Sequence, residues 1–186
     1  MTPVGDGLSL ETLVERIARA RRPSGVQVVI VAVDGCGGAG KSTFAALLAG
    51  ALGGAPVVST DEFASWDNPL DWYPRLVDEL LTPLAAGRAA TYRRSDWGGG
   101  ESIVVTVEPT PILVLEGVSS SRQAFDDYLA FRIWIETDRD ERLRRGLERD
   151  GAHLRDQWLE WMADEDTYVA DEHPQDRADI VIRGDA

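Results

Sequence analysis

The stretch Val33–Thr43, VDGCGGAGKST, decides how the rest of the chain is read. Gly35 to Ser42 satisfies G-x-x-x-x-G-K-[ST], with Gly37, Gly38 and Ala39 as small residues inside it and Gly40 before the lysine. That spacing lets the backbone curl into a tight loop whose N–H groups converge on a phosphate. A helix starting there adds the positive end of its dipole. Lys41 is the single lysine among 19 basic residues. It is expected to reach the β- and γ-phosphates as a compact charge, a task that the rigid planar fork of arginine does not suit. The Ser42 hydroxyl is placed to hold Mg2+, and Thr43 completes the expected nucleotide-binding set. Cys36, inside the loop, reads as a small residue that fits the turn rather than as a redox group.

Working outward, VQVVIVAVDG (Val26–Gly35) is almost wholly apolar and rich in β-branched residues, which suits a strand buried on both faces of a parallel sheet. Thr43–Leu52 reads as a helix stopped by Gly53 and Gly54. APVVSTDEF, TPILVLEG, FRIWIET and ADIVIRG read as four more strands, and helices are expected from Leu10 to Ile17, from Tyr73 to Ala86, and over 121–130, 138–150 and 153–172. This alternation predicts an α/β fold of the P-loop NTPase type: a doubly wound parallel five-stranded sheet with helices on both faces. Residues 65–100 are the least regular stretch, hold three of the six tryptophans and are read as a small helical acceptor-binding insert within one domain spanning 1–186. Leu154, Trp158, Trp161, Met162 and Val169 form a helical stripe read as core packing. His153 and His173 have no metal-ligand spacing.

The formal net charge of −13 argues against a general nucleic-acid binder, so an anionic ligand must be drawn by a local positive cluster. A single cysteine excludes an intramolecular disulfide and suits a reducing compartment. No apolar run approaches the roughly 20 residues needed to span a bilayer. The start of the chain shows no basic-then-apolar leader pattern. The expectation is a cytoplasmic protein with no membrane partner; the sequence is silent on oligomeric state.

Three acids fall at expected strand ends: Asp34, Asp61 after VVST, and Glu116 after ILVL. In a doubly wound sheet ligands bind there. Phosphoryl transfer to a hydroxyl needs one carboxylate to orient or deprotonate it and others to hold Mg2+. Asp61 and Glu116 are placed for those two tasks, with helix capping as the bland alternative. In DRDERLRRGLERDG, Arg142, Arg145 and Arg149 fall within about 60° of one helical face, as a phosphate-clamping lid (138–152) requires. Asp138, Glu141 and Glu148 stand nearby, so an ion-paired surface helix fits the same run.

With these motifs in hand, the chain resembles the uridine kinases of the P-loop nucleoside kinase group from about Val28 to Gly184. The resemblance is carried by GCGGAGKST, VVSTDEF, DNPLDW, LLTPLAAGRAATYRRSDW, LVLEG, ERLRRGLERD and RADIVI, in that order. It implies ATP and Mg2+ as cofactors, Asp61 as catalytic base and Glu116 beside Ser42 at the metal. It also implies Arg142, Arg145 and Arg149 as lid arginines. Asp67 is implied at the ribose hydroxyls, with Tyr92, Asp96 and Trp97 among the acceptor-binding residues. The family's Y-D-F segment reads Ser95-Asp96-Trp97 here, and its base-reading histidine is replaced near Gly100. Kinase activity on a small-molecule hydroxyl is therefore the expectation, with a nucleoside 5′-hydroxyl as acceptor. Trp66, Trp72 or Trp97 would stack on the base or pack the insert. Other acceptors remain open: a sugar, a vitamin, an antibiotic, or a nucleoside monophosphate held by Arg93 and Arg94. So does a non-catalytic nucleotide switch.

Overall fold

Buried β-branched runs alternate with helical segments along the chain, and in the computed structural model they assemble side by side. The structure describes residues 3–5, 8–64, 71–95 and 103–184. In chain order the elements are β1 (Pro3–Gly5), β2 (Leu8–Ser9), α1 (Leu10–Ala18), β3 (Val29–Asp34), α2 (Lys41–Ala51) and β4 (Val57–Ser59). There follow α3 (Tyr73–Leu76), α4 (Thr82–Ala85), β5 (Ala90–Arg94), β6 (Ile103–Val107) and β7 (Ile112–Glu116). The last are β8 (Leu129–Glu136), α5 (Arg139–Asp150), α6 (Arg155–Glu172), α7 (Pro174–Arg177) and β9 (Ile180–Arg183).

Five strands form one parallel sheet, as the alternation of elements predicts; their order is β4-β7-β3-β8-β9. Successive residues of β3 face opposite layers. Ile30 and Ala32 pack into one core with Leu80, Leu84 and Phe125, while Val31 and Val33 pack into another with Leu13, Ile17 and Leu48. Because β3 pairs with β7 on one side and β8 on the other, the chain leaves its C-terminal end at the point where connections part to opposite sides. That crevice is where doubly wound sheets bind ligands. Among the described residues, no helix is long and apolar enough to cross a membrane.

Two segments differ from the sequence expectation. Residues 121–130 are not an α-helix: the stretch has a single 3-10 turn, Gln123–Phe125, and β8 already begins at Leu129. The N–H groups of Ser119 and Ser121 are taken by the Asp34 carboxylate, and Phe125 is driven fully into the core, so the segment is spent on tertiary contacts. The region of the expected helical insert contains a helical run, α3 and α4 joined by a π-turn at Val77–Leu81, but also an antiparallel hairpin of β5 and β6. Residues 65–70 and 96–102, including Asp67, Asp96, Trp97, Trp66 and Gly100, lie outside the described residues.

Candidate active site

Asp34 ends β3 fully buried, and its carboxylate accepts from Gly35 N at 2.7 Å, Ser119 N at 2.9 Å, Ser121 N at 3.0 Å, Ser121 Oγ at 2.6 Å and Tyr168 Oη at 2.6 Å. Burial pushes this carboxyl upward while the donors oppose the shift. The cluster ties the entrance of the loop to the segment after β7 and to α6. Inside the loop, Gly38 has φ +76°, and a Cβ there would stand 2.5 Å from the Arg142 carbonyl oxygen, so only glycine fits. Gly35 and Ala39 are buried behind the loop, Ala39 presenting its carbonyl to Thr137 Oγ1 at 3.1 Å.

Helix α2 begins at Lys41 with Gly40 as its N-cap and no side-chain cap bond, leaving its first-turn N–H groups to a ligand. Lys41 is buried and donates from Nζ to the Cys36 carbonyl at 2.9 Å. Ser42 Oγ donates to Glu116 Oε2 at 3.2 Å. Gly37, Gly38, Gly40, Lys41, Ser42 and Thr43 line one side of a cavity of about 870 Å³. Asp61 and Glu116 line the same cavity. Asp61 sits on the 3-10 turn Thr60–Glu62 after β4. Burial raises the Glu116 carboxyl; a bond from Ser59 and the charge of Lys41 work against this, and the negative charge of Asp61 adds to it.

A hydroxyl paired with a buried carboxylate beside the phosphate loop is an oxygen donor set that fits Mg2+. That ion takes one or two protein ligands and fills its shell with phosphates and water. Among the described residues there is no group of three or more His, Cys, Asp and Glu side chains that could hold a metal ion without such help.

The three arginines separate. Arg145 and Arg149 line the cavity. Arg145 bonds Glu141 Oε1 at 2.7 Å and the Gly184 carbonyl at 3.0 Å, while Arg149 grips Asp150 with two bonds of 2.7 and 2.8 Å. Arg142 instead turns to the rear of the loop. It is buried, donates to Glu165 Oε2 at 3.2 Å, and lines a separate small cavity with Cys36. The helical spacing placed it with the other two, but it stands one to two turns nearer the start of α5, about 5–10 Å along the axis, and that offset puts it behind the loop. The ion-paired reading of this helix also has substance: Arg144 and Arg145 hold the Glu141 carboxyl down at about 2.

Tyr92 does not line the cavity. Its ring packs 4.5 Å from that of Phe63, and its hydroxyl donates to Glu62 Oε2 at 2.7 Å, so it braces the turn that carries Asp61. Trp72 lies largely in the core against Phe63 and Phe125 and shows an edge to the cavity. Arg93 and Arg94 lie on β5, away from its lining. Cys36 is buried, and its thiol is pushed up to about 12 by burial and by the charge of Glu165.

The stripe read as core packing also faces the site, since Leu154, Trp158 and Trp161 line the cavity, and Glu165 escaped the sequence reading altogether. Trp158 and Glu165 of α6 both line the cavity, and Glu165 Oε1 accepts from Gly37 N at 2.8 Å. The signal was present: Trp158, Met162, Glu165 and Tyr168 form the buried face of α6, and a carboxylate inside such an apolar stripe calls for a partner.

No protein-family profile matches the sequence. A uridine kinase from Halobacterium salinarum is 28% identical over 138 residues, 64% of this chain and 61% of the relative, so the chain spans about three fifths of that relative's length. A solved structure described as a possible uridine kinase from Bacillus stearothermophilus superposes with a TM-score of 0.67 at 19% identity, covering 92% of this chain and 96% of that one. A putative fructose transport system kinase from Silicibacter sp. TM1040 gives a TM-score of 0.63 at 20% identity, covering 94% and 99%. At these identities the solved structures speak to the fold alone. The chain thus has the P-loop kinase fold, and its likeness in sequence and in structure is to uridine kinase-like P-loop kinases.

Proposed function

We propose that this protein is a small-molecule kinase that transfers the γ-phosphoryl group of ATP to a hydroxyl, with the 5′-hydroxyl of a nucleoside as acceptor. One observation carries the reading: the Asp61 carboxylate opens on the same cavity as the phosphate loop, Lys41, the Ser42–Glu116 pair and Arg145. The loop N–H groups and the start of α2 take the phosphates, and Lys41 exchanges the Cys36 carbonyl for phosphate oxygens. Mg2+ held by Ser42 and Glu116 supplies neutralisation of phosphate charge when bound. Asp61 orients the acceptor hydroxyl and takes its proton as the new oxygen–phosphorus bond forms and the bond to the departing ADP oxygen breaks. Arg145 and Arg149, which line the cavity, are assigned to stabilise the charge that develops on the transferring group.

A second acceptor reading has its own support. Ser95 stands where the resembled family carries a tyrosine, and a glycine stands near position 100 where that family reads the base with histidine. Both departures fall on acceptor recognition and favour another hydroxyl compound. An ADP-release screen with Mg2+-ATP against nucleosides, nucleoside monophosphates, sugars and vitamins separates the cases. A nucleoside giving the highest kcat/KM supports the first reading. A sugar or vitamin in that place establishes the second. ATP binding with no turnover on any acceptor overturns both.

A further inference from the structure

The Cys36–Gly37 peptide is held from both of its ends. Its carbonyl accepts from Lys41 Nζ at 2.9 Å, and its N–H, that of Gly37, donates to Glu165 Oε1 at 2.8 Å. Glu165 is 6% exposed, and its other oxygen accepts from the buried Arg142 at 3.2 Å. An unpaired carboxylate so deep in a protein is costly, and here a peptide N–H, a guanidinium and the nearby Lys41 charge offset the burial that raises it. Trp158 backs the same contact, since a Cβ at Gly37 would stand 3.2 Å from its ring. Trp158 and Glu165 are seven residues apart, close to two helical turns, so one face of α6 meets the loop at this peptide.

The two grips differ in what nucleotide binding does to them. Lys41 must leave the Cys36 carbonyl to reach phosphate oxygens, which releases the peptide from its carbonyl side. Gly37 and Gly38 follow, and glycine backbones turn over with little steric resistance. Without a second hold, the plane of this peptide is free to rotate and carry the Gly38 N–H out of line.

We propose that Glu165 is a positioning residue of the phosphate loop, holding the Cys36–Gly37 peptide by its N–H so that the loop keeps its phosphate-accepting shape when Lys41 departs. The inference rests on reading the loop as the ATP site. Its test is ATP affinity measured by titration calorimetry on the full chain, with melting temperatures recorded in parallel. Glu165→Ala removes the acceptor and weakens ATP binding by about tenfold or more, the scale of one hydrogen bond to a charged group. Glu165→Gln keeps an oxygen facing Gly37 N and retains affinity within roughly threefold. Both variants lose the charge pairing with Arg142 and melt lower, Ala more than Gln because it also leaves a cavity, so affinities are compared between Gln and a variant of matched volume. Glu165→Met fills the volume without an acceptor, behaves as Ala does, and serves where Ala does not fold. Wild-type affinity in the Ala or Met variant overturns the inference, as does a Gln variant as impaired as they are. A wild-type chain that binds no ATP overturns the nucleotide reading itself, and this inference with it.

Discussion

Under the proposed function turnover would depend on Asp61, and its contribution would be separable from binding. Asp61→Asn keeps shape and polarity but cannot take a proton. ATP affinity should stay near wild type while kcat falls by about 10²-fold or more, the worth of a positioned base. Full activity in that variant would remove Asp61 from the mechanism. Cys36 allows a pH prediction at the same scale. Its thiol is raised from 9.0 to about 12 in the folded chain, so native protein at pH 8 should react slowly with iodoacetamide and unfolded protein rapidly. The unfolded state gives up this proton first. Stability should therefore fall as pH climbs from about 9 toward 12, and a Cys36→Ser variant, followed by denaturant midpoint, should lose that part of the slope. The loop was legible because its chemistry is written in eight contiguous residues. Glu165 was not, because it lies 128 positions from the peptide it holds and only the fold brings them together.

At the scale of elements, the turn Thr60–Glu62 and the hairpin strand β5 act as a pair. Glu62 is gripped twice, its carboxylate by the Tyr92 hydroxyl and its carbonyl by the Ser95 N–H at 2.7 Å. The resemblance implied that Tyr92 touches the acceptor; its position in the structure is one removed, beneath the turn that presents Asp61. Tyr92→Phe should lower kcat by about tenfold through loosened placement of the base, with the KM for ATP unchanged in steady-state assays. The hairpin itself was hidden in the sequence. Its buried alternation is short, Ala90 and Tyr92 inward with Thr91 and Arg93 outward, and an arginine-rich run masks it. The expected helix at 121–130 failed for a different reason: after one 3-10 turn Phe125 is drawn fully into the core and the chain enters β8 at Leu129.

For the whole molecule, a five-stranded parallel sheet covered on both faces followed from the apolar runs, because a strand buried on both faces leaves an unbroken β-branched run. What periodicity could not supply was which helix sits against which end of the sheet. A ligand that binds only the folded chain raises its stability by about 2.7 kcal/mol at 100 times Kd. Saturating Mg2+-ATP should accordingly raise the melting temperature by roughly 5–10 °C for a chain of this size. That rise should vanish in Lys41→Ala, as scanning fluorimetry can read.

The middle of α5 has one more consequence. Gly146 is buried against the Trp158 ring, and a Cβ there would run into its Cζ2 and Cε2 atoms. Alanine ordinarily improves a helix over glycine; here a single methyl would act as a shim, tilting the helix off its aromatic seat. The guanidinium groups at 145 and 149, which line the cavity, would then be displaced from the place the proposed function assigns them. Gly146→Ala should leave nucleotide capture largely intact and slow the chemical step, a split visible when single-turnover rates are set beside calorimetric affinities.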